Sequence, residues 1–369
     1  MRKPTGVLYR RSAHLVSYWE KERMIFENYA TGVRIAAEPI ACEILRLFDE
    51  WRPAELVFLR LREFTALSLK KALRELCRYS LLERRDRLRN RAEQAMLTWR
   101  QWNPSAGFFH FSTKDTPFTS EPAGIARLLR QRARKWPVPP PIKRYPRARQ
   151  ISLPAPRTGG EFPKVMLARR TWRRFSTRPI QLSELATLLK LTWGVQQWVR
   201  VPGIGRLALK TSPSAGALHP VEPYLLALRV TGLPAGLYHY AADTHRLELL
   251  KAGASSRQIA NYLPAQGWYG SAAALMLMTA VFPRTQWKYW SPRAYRTVLL
   301  DSGHLCQSFC LVATWLGLAP FCTMALADSR IEKDLGVDGV TESVIYAAGV
   351  GSRPRALAWA PSPPSRYLS

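Results

Sequence analysis

The sequence predicts an α+β protein: a mixed, mainly antiparallel sheet flanked by helices, preceded by a winged-helix-like module. Three observations carry this. The C-terminal half alternates amphipathic helical stretches with strand-like ones, one pair of which reads as a hairpin (GLYHYAADTHRLELL). The segment AAALMLMTAVF is apolar throughout and long enough to run through the middle of a sheet. Residues 1–100 have a different texture, in which short alternating runs give way to helical spacing.

Along the chain, residues 8–36 hold the runs VLY, HLVSYW and MIFENY, which predict a small β-meander. From Pro39 the apolar residues recur at helical spacing: Ile44, Leu45, Leu47 and Phe48, then Leu56, Leu59 and Leu61. A third segment, from Ser68 to Leu82, sets Leu69, Leu73, Leu76 and Leu82 on one helical stripe, and its end, RYSLLERRD, reads as a helix running into a strand. Helices closing on such a strand suggest a winged-helix-like module over residues 1–100, with peptide recognition as its candidate role. Lys70, Lys71 and Arg74 could face nucleic acid or simply solvent. Acidic neighbours such as Glu43, Glu63 and Glu75 interrupt the positive field and argue against nucleic acid. Residues 101–160 read as a Pro/Arg-rich connector containing RLLRQRARKW and VPPPIKRYPRARQ. The main domain is expected over 161–356, with a tail at 357–369. Within it Leu182–Trp193 is an amphipathic helix with Ser183 as N-cap and Glu184 in the first turn. A long helix is expected from Ala294 to Leu316, followed by the strand SVIYAAGVG.

Composition narrows the function classes. Fifty-five Lys+Arg against 26 Asp+Glu leave a net charge of +29, which favours polyanions, acidic peptides or acidic surfaces with salt-sensitive affinity. The five cysteines, Cys42, Cys77, Cys306, Cys310 and Cys322, include no CxxC pair, which argues against a disulfide framework and for a reducing compartment. Cys306 and Cys310 share a helix face with His304 nearby, yet buried helical cysteines ordinarily serve as small apolar fillers, so no metal site is expected. The basic N-terminus lacks an apolar core, and no apolar stretch suits a membrane span, so the expected location is cytoplasmic.

Three segments carry chemistry. RRTWRRF, 169–175, packs four arginines into a site suited to gripping a phosphate. SPSAGALHP, 212–220, combines small residues, a glycine and two prolines, so its backbone can approach a flat ligand closely. WKYWSPRAYR, 287–296, sets Lys288 beside Tyr289, a pair able to move a proton if one of them has a lowered pKa. Each alone could be surface, tight loop or aromatic belt.

Their order and spacing resemble the nitroreductase-like FMN flavoenzymes, and within them the SagB-type peptide dehydrogenases (azoline oxidases). The matching stretches are Arg169–Phe175, Leu182–Trp193, Pro213–Pro220, Gly236–Tyr240, Lys288–Tyr289, Asp301–Gln307 and Gly349–Arg353, with FFHFSTKDTPF resembling an inter-domain segment. The resemblance implies FMN as cofactor. Arg169, Arg170 and Arg173 would hold its phosphate and ribityl chain, with Thr171 near the flavin. Pro213, Ser214, Ala215 and Gly216 would lie against the ring, and Gln307 would join the cofactor site. Gly349, Gly351 and Arg353 would return near the phosphate, and Lys288 and Tyr289 would be catalytic in proton removal. Thr171 stands where serine is usual, Ser308 where asparagine is common and His219 where tyrosine is common.

The implied activity is dehydrogenation of a thiazoline or oxazoline ring in a ribosomally made peptide to the azole. The implied partners are the modified peptide, a cyclodehydratase and a second copy of the chain. The competing readings are an NAD(P)H-dependent nitro- or quinone reductase of the same fold, and an inactive peptide-binding scaffold.

Overall fold

The computed structural model describes residues 7–86, 95–117, 122–135, 141, 154–202 and 205–354. The chain divides into two compact units: 1–114 with 282–296, and 115–281 with 297–369. The expected tail at 357–369 and residues 118–121, 136–140 and 142–153 of the expected connector lie outside the described residues.

The first unit opens with β1 (Leu8–Arg11) and the antiparallel meander β2 (Leu15–Glu20), β3 (Arg23–Asn28) and β4 (Val33–Ala36), as the alternation predicts. Three helices follow: α1 (Pro39–Leu47), α2 (Glu55–Arg60) and α3 (Ala66–Arg78). The last is capped by the Thr65 hydroxyl, which accepts the Ser68 N–H at 3.2 Å. The short β5 (Arg52–Pro53) and β6 (Leu82–Arg84) flank β1 antiparallel. Ile44, Phe48, Val57, Leu69, Leu73 and Leu81 are buried at the centre, each removal of such a side chain from water contributing about 1.5–3 kcal/mol. Part of the expected connector is structured here: α4 (Ser105–Thr113) buries His110, whose Nδ1 meets the Tyr295 hydroxyl at 2.9 Å. Trp99, Trp102, His110, Phe282 and Tyr295 form one aromatic cluster, which is what ties 282–296 to this unit.

The second unit contains α5 (Pro122–Lys135), α6 (Glu161–Ala168), β7 (Ile180–Gln181), α7 (Leu182–Trp193) and the ribbon β8 (Val195–Val201) with β9 (Gly205–Lys210). Then come β10 (Val221–Ala227), β11 (Val230–Thr231), β12 (Gly236–Ala241), β13 (Arg246–Ala252), α8 (Ser256–Tyr262) and β14 (Ala274–Val281). The chain closes with α9 (Tyr295–Trp315), β15 (Leu318–Thr323), α10 (Asp328–Leu335) and β16 (Glu342–Ser352). Six strands form one antiparallel sheet in the order β13-β12-β10-β14-β16-β15. Among the described residues, parallel pairing is confined to the short β7–β11 ribbon.

The apolar segment is β14, third from one edge and buried along nearly its whole length. One face of the sheet packs on Leu185, Leu188 and Trp193 of α7 and Phe309 and Ala313 of α9. The other packs on Ile259 and Tyr262 of α8 and Ile331 of α10. The expected N-cap of α7 is corrected. Gln181, not Ser183, caps it, with the Glu184 carboxylate reaching back to the Gln181 N–H at 2.7 Å in a capping box.

Candidate functional site

In the second unit, helix α9 organises the loop 212–220. The Ser214 hydroxyl donates to the Asp301 carboxylate at 2.5 Å and accepts the His219 N–H at 2.9 Å. Asp301 also accepts the Ala215 N–H. Burial raises the Asp301 pKa, and those two hydrogen bonds act against the rise. One turn on, His304 Nδ1 donates to the Pro213 carbonyl at 3.3 Å, and Ser308 shares a 2.7 Å hydroxyl contact with Ser212. His304 thus serves the loop, and His219 is tethered too, its Nε2 donating to the Ala208 carbonyl at 2.9 Å.

So held, the loop keeps a backbone that side chains resist. Gly216 has φ 65°, as glycine allows, but Ala217 at 56° and His219 at 43° also sit in the left-handed region. Such conformations persist where the surroundings over-determine them. The space left between loop and helix is only about 10 Å³. Pro213 is exposed, Ser214, Ala215 and Gly216 are half-buried, and Gln307 is exposed on the next turn of α9.

The arginine segment is fixed against the last strands. The Trp172 N–H donates to the Pro320 carbonyl and the Ser176 N–H to the Ser352 carbonyl, both at 2.9 Å. Phe175 fills the space where a Cβ on Gly351 would lie, at 2.8 Å, and Phe321 does the same for Gly349 at 2.2 Å. Both glycines are therefore required by aromatic packing. Arg353 donates through Nε to the Leu318 carbonyl at 2.9 Å and through a terminal nitrogen to the Thr314 carbonyl at 3.1 Å, beneath the Trp172 ring. Burial lowers its pKa, and its charge sits at the C-terminal end of α9, where a helix dipole favours a cation. Arg170 and Arg173 are exposed, while Arg169 and Thr171 are half-buried. Arg169 acts electrostatically on Cys310 and Cys322.

Helix α9 therefore carries the loop on its N-terminal half and faces the arginine segment and Arg353 on its C-terminal half. His304 and Thr314 are about 15 Å apart along the axis at 1.5 Å per residue. This donor set fits a mononucleotide flavin: guanidinium groups for a dianionic phosphate, and a strained loop of small residues for a flat ring.

Lys288 and Tyr289 belong to the first unit. Lys288 is exposed with its Nζ 5.5 Å from the Tyr289 ring centroid, and the Tyr289 carbonyl accepts the Trp102 indole N–H at 3.0 Å. Two residues earlier, Gln286 is buried with neither side-chain polar atom hydrogen-bonded among the described residues. Sequence reading missed Gln286, and it missed Asp301 as the clamp of the loop; the D-x-GH pattern marked the position of Asp301 but not its partner.

Against known proteins, the family model described as "Nitroreductase family" matches residues 166–352. A nitroreductase-type protein of Methanocaldococcus jannaschii is 28% identical over 173 residues, 47% of this chain and 83% of its own. The trifolitoxin-processing protein TfxB of Rhizobium leguminosarum bv. trifolii is 30% identical over 173 residues, 46% of each chain. A chain of the E. coli microcin synthetase McbBCD complex, with truncated pro-MccB17 bound, is 18% identical with a TM-score of 0.49, covering 71% of this chain and 94% of that one. No helix among the described residues is long and apolar enough to cross a membrane. The family match spans half of the 369-residue sequence: the chain belongs to the nitroreductase family, which implies an oxidoreductase.

Proposed function

We propose that this nitroreductase-family chain is an FMN-dependent dehydrogenase that oxidises azoline rings in a ribosomally made peptide to azoles. The observation that carries the reading is that helix α9 clamps loop 212–220 through Asp301, His304 and Ser308, while the arginine segment is fixed on strands β15 and β16 through Pro320 and Ser352. The similarity to a trifolitoxin-processing protein supports a peptide substrate.

Arg169, Arg170 and Arg173 would hold the FMN phosphate, with Thr171 near the flavin and Gln307 beside the loop. Pro213, Ser214, Ala215 and Gly216 would offer the ring backbone in place of bulky side chains. Bound FMN supplies a two-electron acceptor for the hydride lost from the azoline. Lys288 or Tyr289 would accept the proton lost from the adjoining ring carbon. Because Lys288 is exposed, the bound peptide itself would have to shield it from water during the proton transfer. Exposed apolar side chains of α6 (Phe162, Met166 and Leu167) would form part of a homodimer contact, and a cyclodehydratase would supply the azoline peptide.

The test incubates FMN-loaded protein with an azoline-containing peptide and follows its mass. The proposal expects loss of two hydrogens per ring, with turnover reduced by Lys288→Ala and Tyr289→Phe. Turnover intact in both variants would remove the pair from the chemistry. Rapid flavin reduction by NAD(P)H with no peptide oxidation would favour a nitro- or quinone reductase instead.

A further inference from the structure

Three of the five cysteines converge in the second unit. Cys306 and Cys310 project from one face of α9, four residues apart, and Cys322 meets them from β15. Their three sulfur atoms all lie within 4.8 Å of one another, and none of the cysteines is disulfide-bonded. Sulfurs held tetrahedrally around one ion at about 2.3 Å sit about 3.8 Å apart, so side-chain rotations moving each sulfur by less than about 1 Å would bring the trio to that spacing.

Cys306 and Cys310 are buried, whereas Cys322 is half-buried. Apolar filling accounts for the two helical cysteines, but not for a third sulfur brought to the same point by a different element. The surroundings also suit an anionic centre: the Tyr346 phenol hydrogen-bonds Cys322, and Arg169 places positive charge near Cys310 and Cys322.

We infer that Cys306, Cys310 and Cys322 form a three-sulfur binding site for a single thiophilic d10 cation, zinc(II) or copper(I). Soft thiolate sets select these ions, and three protein ligands leave a further coordination position open. The site makes no use of the flavin and is independent of the proposed peptide chemistry.

The test titrates the full-length, fully reduced chain with cobalt(II) under anaerobic conditions. The inference expects a near-ultraviolet thiolate-to-cobalt charge-transfer band that saturates at one equivalent, with Cys306, Cys310 and Cys322 protected from alkylation and Cys42 and Cys77 still reactive. Displacement of cobalt by zinc(II), or by copper(I) that excess zinc cannot reverse, identifies the ion, and either result supports the site. Cys322→Ser should abolish the band and Cys42→Ser should leave it. Cys322→Ala provides the same comparison where the serine variant does not fold. Absence of the band in the wild-type chain, or its persistence in a folded Cys322 variant, would overturn the inference.

Discussion

Asp301 is a buried carboxylate whose two hydrogen-bonded neighbours, Ser214 and the Ala215 N–H, both belong to the loop proposed to face the flavin. Asp301→Ala leaves those donors unmatched and should destabilise the fold by about 1–3 kcal/mol, while weakening FMN binding in a fluorescence titration. Asp301→Asn keeps an acceptor for Ser214 and should lose less on both readouts. Gln286 permits a cleaner contrast. If its buried amide only fills space, Gln286→Leu is neutral or stabilising, because both unmatched polar atoms disappear. If the amide meets substrate, as its place two residues before Lys288 suggests, melting temperature should hold or rise while kcat/KM falls. At this scale the sequence was legible in part. The motifs identified the loop and the arginine segment, but hydrogen bonding between residues 214 and 301 depends on tertiary placement. The resemblance sets Gly349 and Gly351 near the phosphate, but their packing against the rings of Phe321 and Phe175, which leaves no room for a Cβ at either, is not legible in the motif.

Among elements, periodicity served well where one face is apolar. The α7 boundaries, the central position of β14 and the course of α9 were all legible, because burial of one stripe or of both sheet faces leaves a direct record in sequence. The α7 cap was misread because serine is the commoner N-cap, while here the Gln181–Glu184 pair satisfies the end. The β16–β15 contact yields a sharp test. A Cβ on Gly349 would meet the Phe321 ring at 2.2 Å, and that ring is stacked on Tyr269 with centroids 3.7 Å apart, so it has little room to yield. Gly349→Ala should cost about 1–3 kcal/mol by denaturant unfolding, and Phe321→Leu in the same chain should recover part of it.

On β12, His239 lies 3.2 Å from Glu222 and 2.7 Å from Glu248. The hydrogen bond to Glu222 raises its pKa above 6.5 more than burial lowers it. A raised histidine pKa stabilises the folded state below the unfolded value, and that contribution is lost as pH rises through the folded one. Melting temperature should therefore contain a component that declines with pH above 6.5, and His239→Gln should remove that component.

For the whole molecule, the sequence revealed two textures but not the exchange between them. Residues 282–296, flanked in sequence by β14 and α9, belong with the N-terminal unit because Phe282 and Tyr295 join its aromatic cluster. Tertiary packing between residues nearly two hundred positions apart leaves no local periodicity to read. The triad of sulfurs was equally hidden, since the pairing of β15 with β16 is what carries Cys322 to the helix. Three apolar side chains on the short α6 are exposed, Phe162 at 67% and Leu167 at 61% with Met166 beside them. If the proposed homodimer forms through this patch, Phe162→Asp should shift it to monomer by light scattering, and a wild-type chain that is monomeric at the same concentration would remove the dimer. The measurement that bears most directly on the account is the visible absorption spectrum of the purified chain, with mass identification of what denaturation releases. A flavin spectrum with FMN released is the expected result, and it should be diminished in a folded Arg170→Ala/Arg173→Ala variant. A colourless chain that stays flavin-free after incubation with FMN would contradict the dehydrogenase and leave a peptide-binding scaffold in its place.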